Sequence, residues 1–233
     1  MNRTELGALL VAADLRKTYG ATPALDGASI EINTGEVVAV MGPSGSGKST
    51  LLHCLAAIVT PDGGSVRYAG QELSTMSDRG RSAQRQSDFG FVFQFGQLVP
   101  EPTCGENVAL PLRLNGVRRQ ASARGREWLE RLEVAELADR HPGKVSGGQA
   151  QRVAVARAPA PGPRVVFADE PTGALDSLTG ERVMHLLTSA ARESGAAVVL
   201  VTHETRVAAY SDREVVVRDG RTPTAHRVPA ARP

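Results

Sequence analysis

The segment GPSGSGKST, residues 42–50, narrows what this chain can fold into more than any other stretch. The β-branched apolar run EVVAVM (36–41) precedes it, and LLHCLAAIV, apolar with helical periodicity, follows it. Strand, glycine-rich turn and helix in that order fit the phosphate-loop pattern G-x-x-x-x-G-K-[ST] in the context that makes it specific. A triphosphate has to be met by several backbone N–H groups at close range. Gly42, Gly45 and Gly47 keep side chains out of the way, and Pro43, Ser44 and Ser46 complete the cradle. The loop feeds a helix N-terminus, which favours negative charge. Lys48 would place a point charge between the β- and γ-phosphates, and the Ser49 hydroxyl can ligate Mg²⁺. Thr50 can add a hydrogen bond to an α-phosphate oxygen.

A second constellation lies in RVVFADEP (164–171), where two acids end an apolar run. Side chains alternate along a strand, so Asp169 and Glu170 cannot point the same way. Asp169 can join the Mg²⁺ shell held by Ser49, while Glu170 faces the water that attacks the γ-phosphate. Gln94 ends the strand GFVFQ and can contact the metal or water; His203 ends VVLVTH and can contact the γ-phosphate. All four sit at strand C-termini, where open α/β sheets bind their ligands.

Composition sets limits rather than function. The 233 residues suffice for one large α/β domain or a domain with an inserted subdomain. With 27 basic and 25 acidic residues the chain is nearly neutral, which gives no sign of a nucleic-acid binder. Lysine occurs only at Lys17, Lys48 and Lys144, which sharpens interest in Lys48. Cys54 and Cys104 lie far apart without metal-ligand spacing, and Cys54 reads as a small core residue. No signal peptide and no apolar run of bilayer-spanning length are legible. The expected location is cytoplasmic, with any membrane contact made through a partner.

Strands are expected at 9–20, 28–35, 36–41, 65–73 and 89–94, helices from about 104 to 158, then strands again at 164–169, 196–203 and 214–220. Strands on both sides of a helical block imply one α/β core with a helical insertion. In RGREWLERLEVAELADR, Trp128, Leu129, Leu132 and Leu137 can line one helix face. The tail 221–233 has little apolar content and is expected to be disordered.

VSGGQ (145–149) adds the last motif: a polar turn that enters a helix through two glycines. The phosphate loop, VSGGQ, VVFADEPT, GALD (173–176) and VTHE (201–204), in that order and spacing, resemble an ATP-binding cassette ATPase of transporters over residues 9–220. The resemblance implies an α/β phosphate-loop cassette with a mostly parallel core sheet, an antiparallel β subdomain and a helical subdomain inserted at 104–158. It implies ATP and Mg²⁺ as ligands, hydrolysis of ATP, and a head-to-tail pair in which one chain's cradle and the other's signature enclose the same nucleotide. In that pair Ser146, Gly147, Gly148 and Gln149 would face the γ-phosphate across the interface, at a helix N-terminus. The partner would be a second copy or a similar cassette. Tyr19 would stack on adenine, Asp176 would align the two sites, and Gln94 would pass the Mg²⁺ state to a membrane permease, with no nucleic acid involved. Residues 95–112 would form the permease surface, or else a covered internal turn. The chain would lie on the inner face of the cell membrane through that permease.

FGFVFQFGQLVPEPTCGENVALPL and FADEPTGALDS are most similar to the subgroup serving macrolide and peptide exporters, lipoprotein release and cell division. Export or extraction of a lipophilic or peptide cargo follows from the first two, and envelope signalling without solute movement from the third. Three departures stand out: Val145 where leucine is commoner, Ala150 in place of a polar residue, and Pro159 where leucine usually continues the helix. Proline at 159 predicts a helix stop near Ala158.

Overall fold

The computed structural model describes residues 8–94 and 96–223. Among these, nine strands form two sheets. The first is antiparallel, in the order β2-β1-β4-β5: β1 Leu10–Tyr19, β2 Thr22–Ile32, β4 Gly63–Tyr68 and β5 Gln71–Glu72. The second is parallel throughout, in the order β6-β7-β8-β3-β9: β3 Val37–Met41, β6 Phe89–Val92, β7 Val165–Asp169, β8 Ala197–Val201 and β9 Arg213–Val216. Seven α-helices accompany them: α1 Lys48–Leu55, α2 Asp78–Asp88, α3 Cys104–Leu114, α4 Arg118–Arg131, α5 Gly147–Arg157, α6 Ser177–Ser194 and α7 Thr205–Ala208.

Every residue of β7 and β8 is buried. This is why both read as unbroken apolar runs: a parallel sheet is covered on both faces. Alternate side chains go to two different cores. Val165, Phe167, Val199 and Val201 pack with α1 against the antiparallel sheet. Val166, Ala168, Val198 and Leu200 face the other way, onto α3, α5 and α6. Leu51, Leu52, Cys54 and Leu55 of α1 thus glue the two sheets together. Cys54 is the small core residue anticipated, and burial pushes its thiol up to about 12.

The helical block falls where expected, as α3, α4 and α5. Leu129, Leu132 and Leu137 are buried there, with Trp128 packed at the margin, but they do not share one helix face: α4 ends at Arg131 and Leu137 lies on a separate 3-10 turn, Ala135–Leu137. Helix α5 ends at Arg157, as Pro159 requires. The run 65–73 is split by a turn at Ala69 and Gly70 into β4 and β5. Residues 221 and 222, expected to be disordered, are held in place. Arg221 pairs with Asp26 at 2.6 Å, and the Thr222 hydroxyl both accepts from the Ser29 N–H and donates to its carbonyl. The rest of that expectation, from 224 onward, lies outside the described residues. No helix among the described residues is long and apolar enough to cross a membrane.

Candidate active site

Four ends of the parallel sheet converge on one open cleft of about 490 Å³. After β3 comes the loop that supplies Ser44, Gly45, Gly47, Lys48, Ser49 and Thr50; after β6, Gln94; after β7, Glu170; and after β8, His203. The residues predicted from strand ends are therefore brought together.

The loop's glycines have a more local cause than room for a ligand. A Cβ at Gly42 would lie 2.2 Å from the Val217 carbonyl oxygen, and one at Gly47 2.2 Å from that of Ala24. Both carry positive φ, 146° and 102°. Only around Gly45 is there open space. The loop is held from behind by the turn that follows β9: the Gly220 N–H donates to the Ser46 carbonyl at 2.9 Å, and the Val217 N–H to the Met41 carbonyl at 2.7 Å. Lys48 folds back so that its ammonium donates to the Pro43 carbonyl at 2.8 Å. The buried Ser46 hydroxyl has no partner among the described residues.

The Ser49 hydroxyl donates to Asp169 Oδ1 at 3.2 Å. A hydroxyl and one carboxylate, with Gln94 lining the same cleft, form a hard-oxygen donor set. That suits Mg²⁺, which is bound through one or two carboxylates plus phosphate oxygens.

Glu170 does turn away from Asp169, but strand alternation is not the reason. Strand β7 ends at Asp169, and Glu170 takes a left-handed φ of 47° that swings its side chain toward β8. There Oε1 lies 2.7 Å from His203 Nδ1, and Oε2 accepts from the Thr202 hydroxyl at 3.4 Å. The hydrogen bond to Glu170 and its negative charge raise the His203 pKa above the ordinary imidazole value. His203, anticipated as a phosphate contact, is thus first of all a partner of Glu170.

Ser146 and its neighbours lie in a different cleft, of about 240 Å³, with Gly148, Gln149, Leu175, Asp176 and Thr179. The Ser146 hydroxyl accepts from the Gln149 N–H, and the Gln149 amide oxygen accepts from the Ser146 N–H at 2.9 Å. This capping box satisfies two helix-end donors and engages the Gln149 side chain within its own chain. Asp176 caps α6 by accepting from the Thr179 N–H at 3.0 Å, which holds its carboxyl below the usual range. A Cβ at Gly147 would meet nothing within 4 Å. Among the described residues the two clefts share no lining residue.

Tyr19 ends β1, half-exposed, with the Lys17 ammonium 5.7 Å from its ring centre; it does not line the phosphate cleft. Of the segment 95–112, Gln97, Val99, Pro100 and Glu101 are exposed, so a wholly covered turn does not describe it. Buried Asn107 organises this loop through bonds to Val99, Pro102 and Thr103. Its sequence position gave no hint of that role. Gln151 was missed as well: fully buried on α5, its amide N–H donates to the Pro171 carbonyl at 2.9 Å and reaches the Phe93 carbonyl at 3.5 Å.

A phosphate loop at the C-terminal edge of a parallel sheet, facing a Ser–Asp pair and a turned-out glutamate, defines a phosphate-loop nucleoside triphosphatase. The ABC transporter family model matches residues 25–173. "Lipoprotein-releasing system ATP-binding protein LolD 2" of Caulobacter vibrioides is 46% identical over 217 residues, covering 91% of this chain and 95% of that protein. Its counterpart in Cereibacter sphaeroides is 44% identical over 219 residues, covering 91% and 98%. A dimeric, post-hydrolysis structure of the ATP-binding cassette MJ0796 with ADP and Pi aligns with TM-score 0.87 and 38% identity, covering 92% of this chain and 97% of that one. The chain belongs to the ABC transporter family, as an ATP-binding and ATP-hydrolysing cassette.

Proposed function

We propose that this cassette powers the release of lipoproteins from a membrane, and that it does so as a pair of identical chains closing head to tail around two ATP molecules. One observation carries the reading: the phosphate cleft and the Ser146 cleft share no lining residue among the described residues, which leaves the Ser146 helix end for the nucleotide of a second chain. Gly147 supports it, since nothing among the described residues accounts for a glycine there. A second chain's triphosphate approaching that backbone does.

In the closed pair, Lys48 leaves the Pro43 carbonyl for the β- and γ-phosphates, with the loop from Gly42 to Gly47 and Thr50 around them. Ser49, Asp169 and Gln94 would hold Mg²⁺, which would supply positive charge against the phosphate oxygens. The Glu170 carboxylate receives the proton of the attacking water. His203 keeps Nδ1 on Glu170 and turns Nε2 toward the γ-phosphate. Across the interface Ser146 and the N–H groups of Gly147 and Gly148 meet the same phosphate, with Gln149 locking that helix end. Asp176 aligns the two sites, and Tyr19 stacks on adenine. The exposed part of 95–112 docks a permease, which keeps the chain at the inner membrane face. Residues 9–220 form one cassette, with 104–158 as its inserted helical part. The names of the relatives favour lipoprotein release over an envelope-signalling role.

Glu170→Gln tests this. With ATP the variant forms a stable dimer and loses 10²- to 10⁴-fold in turnover, the usual share of a positioned base. Isolated from membranes, it brings an integral-membrane permease with it. Undiminished turnover refutes the base, and a purely soluble dimer refutes the transport reading.

A further inference from the structure

Gln151 lies two residues beyond the Ser146–Gln149 capping box, on the buried face of α5. Its amide sits between two carbonyls, those of Pro171 and Phe93. Two carbonyls can only be faced by the N–H₂ end, so the orientation of the amide is fixed. Pro171 directly follows Glu170, and Phe93 directly precedes Gln94. One side chain therefore connects the Ser146 cleft to the backbone on which two residues of the phosphate cleft are mounted.

Glu170 makes that connection consequential. Its φ of 47° is uncommon for a non-glycine residue and persists only where surrounding contacts determine it. Those contacts are the Glu170 N–H to the Val201 carbonyl at 2.9 Å, the Gly173 N–H to the Glu170 carbonyl at 3.1 Å, the His203 and Thr202 bonds, and the Gln151 bond one residue on. Only the last comes from α5.

We infer that Gln151 is a positioning residue that couples the two nucleotide sites of the pair: it ties the helix end that senses one ATP to the Glu170 turn that hydrolyses the other. The inference rests on the head-to-tail pairing proposed above. In that pair a chain's α5 caps its partner's nucleotide, while its Glu170 serves its own. Any shift of α5 on closure is carried through the Gln151 amide to Pro171, and so to the rotamer and φ of Glu170. Cooperativity between the sites then has a physical route within each chain.

The test is ATP hydrolysis as a function of ATP concentration for the wild type and Gln151→Met, which keeps length and volume but cannot donate. The wild type is expected to be sigmoidal with a Hill coefficient approaching about two, the number of sites. Gln151→Met is expected to fall to about one, with kcat down about tenfold. Its melting temperature and its affinity for ADP as a single chain should match the wild type. A merely structural role would lower stability while leaving the Hill coefficient in place. Should Gln151→Met fail to fold, Gln151→Glu, which keeps the shape but turns acceptors toward both carbonyls, is expected to give the same loss. A hyperbolic wild-type curve, or a folded variant that keeps the wild-type coefficient, overturns the inference. Failure of the pairing itself is seen separately, as Glu170→Gln that stays monomeric in ATP.

Discussion

Gly147→Ala is expected to make this protein more stable and less active at once. Gly147 opens α5 with helical backbone, and a Cβ there enters open space. Alanine restricts the unfolded chain more than glycine and suits a helix better, a gain of about 0.4–1 kcal/mol where no strain opposes it. For a domain of this size that raises the melting temperature by about 1–4 °C. In the proposed pair, however, the added methyl stands where the partner's triphosphate approaches. Losing one charge-assisted hydrogen bond from the N–H groups there costs about 1.5–3 kcal/mol, or about 10- to 150-fold in turnover. Thermal unfolding of the nucleotide-free chain gives the first quantity and steady-state phosphate release the second. A Glu170→Gln background separates dimer formation from hydrolysis. An alanine variant with raised stability and wild-type turnover would refute the reasoning, because nothing could then be approaching Gly147.

Gly47→Ala is the counterpart: with φ at 102° and a carbonyl 2.2 Å from the new Cβ, it should lose at least about 2 kcal/mol in chemical denaturation and nucleotide binding with it. Lys48→Ala should abolish ATP binding in a fluorescent-nucleotide titration while the fold melts normally; retained affinity would remove the cradle assignment. NMR titration of His203 should place its pKa above 6.5, falling toward that value in Glu170→Gln. The sign follows from the raised pKa: the His203–Glu170 ion pair is fully formed below the unfolded value and is lost as pH rises through the folded one. Its contribution to stability is small because the imidazole is largely exposed.

The parts of the site legible in the sequence are those whose causes are local. Val165 to Ala168 and Val198 to Val201 read as buried strands because both sheet faces are covered. The residues that end them were in turn read as cleft residues. Pro159 marked the end of α5 because proline acts on its immediate neighbours. What escaped depends on distant partners. Helix α2 buries no residue, so it has no apolar stripe to announce it. Gln151 looks like any polar residue of the helix until Pro171 and Phe93 are placed beside it. The left-handed turn at Glu170 is likewise invisible, because it is imposed by β8 and α5 rather than by a glycine.

The turn that backs the phosphate loop has a consequence for biosynthesis. The loop leaves the ribosome early, yet Val217 and Gly220, which hold Met41 and Ser46 in place, are made long after it. Strand β9 also pairs with β3 directly, Val40 opposite Val215. Until those residues emerge, the glycine loop lacks its back wall. A nascent cassette is thereby expected to capture ATP only after β9 has emerged and paired with β3, so that binding begins on a closed sheet.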